Sequence, residues 1–283
     1  MRRLIVNADD FGLTPGVNAA IVELNRARAL TSATLMATAN SFNEAVSDAK
    51  TLPSLGVGCH VVLVDGTPAL PANQIPSLID PSAPNSAQFR PNLSAFLTDL
   101  LRGRISDSEI EAEATAQIQK LKAAGIAVTH VDTHKHTHMF PRVLRPLLRA
   151  ALACGVKAIR NPFEPNWSLN ATANAGHVRK MQVRLLRSQS TTFTQEVTRA
   201  GLLTTDGAIG VLATGTLDTQ TIRNLLAAMP DGTWELVCHP GYNDAALQQE
   251  RTRLLAARDV ERTALLETIP NADVERIHFG QLS

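Results

Sequence analysis

Aromatic residues make up only 4% of the 283-residue chain, with two tryptophans and one tyrosine, so few positions can offer a ring to a ligand. Cysteine is equally sparse. Cys59, Cys154 and Cys238 are an odd number without CxxC spacing, which excludes a disulfide framework and suits reduced thiols in a cytoplasmic protein. Neither sign of charge dominates: a formal net charge of +1 supplies no field for steering nucleic acid. No apolar run approaches the ~20 residues of a membrane span. The start, MRRLIVNADD, reaches Asn7 after three apolar residues, too short for a secretory signal. Glycine-rich dinucleotide and Walker A stretches are absent, so nucleotide cofactors are not indicated. Internal repeats and composition breaks are absent as well. These absences leave a soluble, cytoplasmic protein with residues 1–283 in one domain; peripheral membrane contact stays open, and base rates favour a homodimer.

What is present is alternation. Arg3–Ala8, Ser32–Ala37, Gly56–Val64, Ala127–Thr133, Val156–Arg160, Ala208–Ala213, Trp234–Cys238 and Val274–His278 read as short β-runs. Helical patterns lie between most of them: from Thr14-Pro15, a cap and first-turn proline, to Ala29; Asn43–Thr51; Asn92–Leu101; Ser106–Ala124, where Ser106 and Glu109 suggest a capping box; a Pro141-started helix; a basic helix over 175–190; Asp218–Met229; and Ala245–Ala257. Strands alternating with helices imply an α/β fold with a parallel sheet, and about seven or eight strands in one chain suit a distorted (β/α) TIM-like barrel. A 44% hydrophobic content is ample for its core. Residues 65–92 carry six of the fifteen prolines and read as a long Pro-rich insertion, either a lid or substrate rim or a mobile excursion. The basic run of Arg179, Lys180, Arg184 and Arg187 is either a solvated face or a contact for anionic lipid.

The chemistry concentrates at strand ends. Residues 129–139 hold four of the eight histidines, His130, His134, His136 and His138, with Asp132 among them. All five share parity, so an extended segment would aim them one way. Asp9 and Asp10 end the first β-run; a carboxylate pair there is costly without a cation or donors. His60 sits in the third run and His239 closes the run ending at Cys238. Arg160, at another strand end, either orients a carboxylate or binds an anion, or else makes a surface salt bridge. His177 and His278 have no chemical neighbours in sequence and are given no role. In a barrel the carboxyl ends of the strands converge on one face. One Asp and two His around a divalent ion leave positions for water and substrate, as in a hydrolytic site. A second carboxylate would take a proton from water, and a histidine would protonate the leaving group.

NADDFG at 7–12, GVGCHVVLV at 56–64, HVDTHKHTHMFP at 130–141 and CHPG at 238–241, in this order, resemble the YdjC-like (ChbG-type) carbohydrate deacetylases. VLVDGTPALP at 62–71 and RNPFEP at 160–165 are similar to the hopanoid-biosynthesis-associated HpnK branch. The resemblance implies a distorted (β/α) barrel that removes N-acetyl groups from sugars with a divalent metal, Mg2+ or Zn2+. It implies Asp10, His60 and His134 as metal ligands, Asp9 as general base and His239 as general acid, with His136 and His138 as supporting or substrate contacts. The implied substrate is an N-acetylated sugar or glycolipid, the glucosamine head of a hopanoid among the options. Trp167 and Tyr242 are the ring candidates for it, whereas Phe140 suits core packing. Lys135 stands where many relatives carry histidine. A barrel metallo-phosphoesterase or cyclic-amide hydrolase is the competing enzyme; those usually open with H-x-H on the first strand, and this chain has Asp9-Asp10. A metal- or lipid-binding protein without catalysis is the non-enzyme alternative.

Overall fold

A computed structural model describes residues 1–83, 85, 87–172 and 177–283. Seven strands form one parallel sheet among these residues: β1 (Arg2–Phe11), β2 (Ser32–Leu35), β3 (Gly56–Val61), β4 (Val131–Thr133), β5 (Gly207–Ile209), β6 (Gly232–Cys238) and β7 (Glu275–Arg276). Their order is β4-β3-β2-β1-β6-β5, and β7 pairs with the first residues of β1. The sheet is curled, and beyond β4 single parallel bridges join Val131 to Ile159 and Ala158 to Leu203, so that Val156–Arg160 contributes two isolated bridges rather than the strand expected of it. This is the distorted TIM-like barrel that the alternation predicts.

β1 is the axis. Its apolar residues Leu4, Ile5 and Val6 are buried, and it pairs with β6 from Arg2 to Ala8 and with β2 from Asn7 to Phe11. It runs three residues beyond the expected end, carrying Asp9 and Asp10 inside the sheet rather than after it. The register shifts between Ala8 and Phe11, and Asp10 takes a left-handed φ of 64°. A bulge of this kind re-aims side chains at the rim of a barrel.

The helices that position the site are α1 (Pro15–Arg26), α2 (Phe42–Lys50), α3 (Leu93–Leu101), α4 (Asp107–Ala123), α5 (Pro141–Ala153), α6 (Asn166–Ala171), α7 (His177–Leu186), α8 (Ser190–Ala200), α9 (Thr219–Ala228) and α10 (Ala256–Thr268). Thr14 caps α1 as expected, accepting from the Val17 amide. The capping box expected at Ser106 does not form. Glu109 instead accepts from the Ser77 amide and hydroxyl at 2.7 Å each, because the insertion offers it two donors. The helix expected over Ala245–Ala257 is also displaced: only a turn at Leu247–Gln249 forms there, and α10 begins at Ala256. Of the basic helix expected over 175–190, residues 175 and 176 and the side chains of His177 and Arg179 lie outside the described residues; α7 and α8 take up the remainder.

Described residues of 65–92 pack onto α3 and α4. Ile75, Leu78, Ile79 and Phe89 are buried. The fully buried Glu113 accepts the Ala69 and Leu70 amides at 2.7 and 3.0 Å. Buried Arg90 donates to Asp99 and to the carbonyls of Ser77 and Leu78. No helix among the described residues is long and apolar enough to cross a membrane.

Candidate active site

Three side chains from separate strand ends meet at the carboxyl end of the barrel. Asp10 Oδ1 lies 3.7 Å from His60 Nε2 and 3.5 Å from His134 Nδ1, and the two nitrogens are 3.3 Å apart. A point equidistant from three atoms with these separations lies about 2.0 Å from each, the bond length of zinc or magnesium to nitrogen or oxygen. The donor set therefore fits a divalent ion and leaves further coordination positions open, though Asp/His₂ does not choose between Mg2+ and Zn2+. His60 is prepared for this. Its Nδ1 pairs with Asp132 Oδ1 at 2.8 Å, which turns Nε2 toward Asp10 and His134. Burial opposes charge on the His60 ring, but Asp132, Asp9 and Asp10 together raise it to about 9.

Asp9 belongs to a second group with His60 and Asp132, whose ligand atoms also lie close together. There the cation position is already filled by Arg160. Its guanidinium, fully buried, reaches Asp9 through Nη1 at 2.9 Å and Nη2 at 2.6 Å, Asp132 at 2.5 Å and Glu235 at 2.7 Å. Arg160 thus orients carboxylates, and the surface salt bridge weighed from sequence is excluded by its burial. Burial would raise the Asp9 carboxyl, yet Arg160 above all, then His60, carry it well below the ordinary carboxylate range. Burial lifts Glu235 to about 7 despite the same guanidinium. Thr34 Oγ1 lies 3.3 Å from Asp9, Asp132 and His60 alike, tying the two groups together.

His239 stands beside Asp9, Nε2 to Oδ2 at 3.7 Å. Its backbone N–H donates to Glu261 Oε2 at 2.6 Å, and its ring Nδ1 is 4.0 Å from the same oxygen. On the far side of Asp10, Arg258 Nη2 donates to Oδ2 at 2.6 Å. Arg258, Glu261 and Glu235 carry none of the expectations from sequence. Glu235 sits mid-strand and the other two lie on the displaced helix α10, so no local pattern joins them to the motifs. The run ARDVERTALLET, rich in helix formers, would have placed the helix but not its targets.

The histidine-rich segment does not keep the one-sided arrangement that its parity predicts. Only Val131–Thr133 is strand. Beyond it the chain turns into a 3₁₀ segment, with Lys135 and His136 at left-handed φ of 57° and 51°, so alternation ends at His134. His136 is seated where burial, then Arg160, lower it to about 3, and its Nδ1 has no hydrogen-bond partner among the described residues. His138 is fully buried and shares a hydrogen bond with Thr133 Oγ1 at 2.7 Å. His130 leaves the cluster altogether: it stacks on Phe279 with ring centroids 3.8 Å apart, over Gly58, where a Cβ would meet its ring at 2.4 Å. Lys135 ties this loop to the insertion through Asp65, Nζ to Oδ2 at 2.6 Å.

The ring candidates make contacts of their own. Trp167 packs edge-on against Trp234 at 5.1 Å. Trp234 follows the strand alternation, so it faces away from the side on which Glu235 meets Arg160. Tyr242 lies at the surface, donating to Glu23 at 2.9 Å under the Arg262 guanidinium.

A parallel α/β barrel with a carboxylate and two imidazoles converging at the strand ends, beside a second carboxylate and a third imidazole, defines the general class. The chain belongs to the YdjC-like protein family, whose model matches residues 3–275. It is 30% identical over 285 residues to the carbohydrate deacetylase of Brevibacillus brevis, covering 99% of both chains. A second carbohydrate deacetylase, from Thermoanaerobacter pseudethanolicus, is 28% identical over 94% of this chain and 92% of its own. The fold matches a crystal structure from Enterococcus faecalis V583, provisionally described as a cellobiose-phosphate cleavage protein, with a TM-score of 0.77, 24% identity and coverage of 98% of this chain and 97% of that one.

Proposed function

We propose that the chain is a metal-dependent carbohydrate deacetylase that hydrolyses the N-acetyl amide of an amino sugar. The observation that carries this reading is the convergence of Asp10, His60 and His134 at ligand spacing, with Asp9 and His239 adjoining them, in a chain aligned end to end with a carbohydrate deacetylase.

Asp10, His60 and His134 would hold the ion. When bound, a divalent cation lowers the pKa of water and withdraws charge from the amide oxygen. The protein's own residues supply the rest. Asp9, kept ionised by Arg160, accepts a proton from water as it attacks the acetyl carbon. Its low basicity limits it to taking a proton from a water that is already acidified. His239 donates a proton to the amide nitrogen as the C–N bond breaks, so acetate and a free amine leave. Asp132 keeps His60 in the tautomer that presents Nε2. His136, neutral beside Arg160, and His138 line the cluster as supporting groups.

The finer substrate is the glucosamine head of a hopanoid lipid. Its support is the sequence resemblance of 62–71 and 160–165, together with the position of the first of these runs: it enters the insertion at Asp65, which Lys135 holds next to His134. Acetate release from N-acetylglucosaminyl substrates, free and lipid-linked, with added Mg2+ or Zn2+, tests both levels. Activity should vanish in Asp10→Ala. Phosphate release from sugar phosphates without acetate release would sink the deacetylase reading, and turnover confined to free sugars would sink the lipid assignment.

A further inference from the structure

Helix α10 reaches into the site twice from one face. Arg258 and Glu261 are three residues apart, so their side chains leave the helix side by side. Both are buried. Arg258 Nη2 donates to Asp10 Oδ2 and its Nε donates to the Leu254 carbonyl at 3.0 Å, which fixes the guanidinium within its own helix start. Glu261 accepts the amides of His239 at 2.6 Å and Gly215 at 3.3 Å. Gly241, which closes the CHPG motif, donates its amide to the Arg258 carbonyl at 3.2 Å, and a Cβ there would come within 3.1 Å of Arg258 Cδ. The glycine therefore leaves the passage through which the arginine stem reaches Asp10.

The geometry points to α10 as the positioning element of this site: Arg258 turns the Asp10 carboxylate so that Oδ1 faces the two histidines, and Glu261 holds His239 at Asp9. The inference rests on the reading of Asp10, His60 and His134 as metal ligands. Asp10 needs such a partner, since its left-handed backbone is one that L-residues seldom adopt and its bulge leaves the carboxylate without a strand neighbour to fix it. With Oδ2 held by the guanidinium, a single oxygen remains for the ion. Outer partners of this kind commonly govern metal affinity by about 10–100-fold.

Zn2+ affinity measured by competition with a chromophoric chelator, together with the absorption spectrum of the Co2+-loaded protein, tests Arg258 without any assay of turnover. Arg258→Met should bind Zn2+ about 10–100-fold more weakly and shift the Co2+ bands. Arg258→Lys, which keeps the charge, should recover part of the loss. Arg258→Gln decides the matter if the methionine variant does not fold. Glu261→Ala removes the acceptor of both amides and should lower kcat without raising KM while leaving Zn2+ affinity unchanged; Glu261→Gln, which keeps an acceptor, should recover part of the lost kcat. Parent-like affinity and spectra in Arg258→Met or Arg258→Gln, while Asp10→Ala abolishes binding, would overturn the role of Arg258. An unchanged kcat in Glu261→Ala would overturn that of Glu261. Absence of Zn2+ and Co2+ binding by the parent itself would strike the metal reading instead, and this inference with it.

Discussion

Replacing Arg160 with methionine isolates the charge that holds the centre of the barrel together. The substitution keeps an unbranched stem of similar length but leaves Asp9, Asp132 and Glu235 without the guanidinium that touches all three. All four side chains are buried, so solvent cannot take its place. Breaking a buried ion pair costs about 3–5 kcal/mol, a large part of the roughly 5–15 kcal/mol that stabilises a domain. In urea this corresponds to a midpoint lowered by about 1–2 M at a slope of about 2–3 kcal/mol/M. The loss should depend on pH. In the native protein the depressed Asp9 carboxyl contributes stability that is present above its unfolded value and fades only as pH falls below it. Glu235 has the opposite sign: raised to about 7, it favours the folded state at low pH and loses that contribution as pH rises through 7. Without Arg160 burial still raises both groups, and only His60 and His239 remain to lower Asp9, so both carboxyls move toward the protonated form. The difference between parent and variant should be largest near pH 8 and shrink toward pH 5. Urea titrations at several pH values, with chelator present, measure this directly. A loss below about 1 kcal/mol, the scale of an exposed pair, or one that is the same at pH 5 and pH 8, would refute the reasoning.

Metal uptake near pH 7.5 should expel about one proton, because His60 at about 9 holds one that the ion must displace. Proton-linked stabilisation from His60 is present below its unfolded value of about 6.5 and disappears as pH rises through about 9; Zn2+ affinity runs the other way and tightens over that interval. Binding heats that do not vary with the ionisation enthalpy of the buffer would contradict this. Glu113→Ala strips the Ala69 and Leu70 amides of their acceptor at a cost of about 1–3 kcal/mol per group, and limited proteolysis should then cut within 65–92; an unchanged digestion pattern would show that the insertion is held by other contacts. Cys59, Cys154 and Cys238 are buried with their thiols pushed upward by desolvation. A thiol reagent should therefore titrate three groups in denaturant and react slowly with the native protein, and rapid native labelling would count against their burial.

The motif residues were legible because each lies at the end of an apolar β-run, and parallel alternation sends all such ends to one face of a barrel. Asp9, Asp10, His60, His134 and His239 needed no contact information to be grouped. Where local rules were extended further they failed for identifiable reasons. Parity along 130–138 presumed an extended chain, and two left-handed residues after His134 broke it. The capping box at Ser106 presumed that Glu109 had no better partner, and the insertion supplied one. For Trp167 and Tyr242 the sequence offered residue type alone; the fold sets Trp167 against Trp234 and Tyr242 beside Glu23 at the surface, which leaves their part in substrate contact a proposal.

The order of apolar runs and the residues at their ends thus determined the barrel and its chemical inventory, since burial periodicity and strand direction are properties of the chain itself. Only the tertiary structure decided which charges would share the interior. Arg160 meets Asp9 across 151 positions and Arg258 meets Asp10 across 248. Burying a carboxylate demands a counter-charge, but desolvation specifies no location along the sequence from which it must come; the closing of the barrel supplied both.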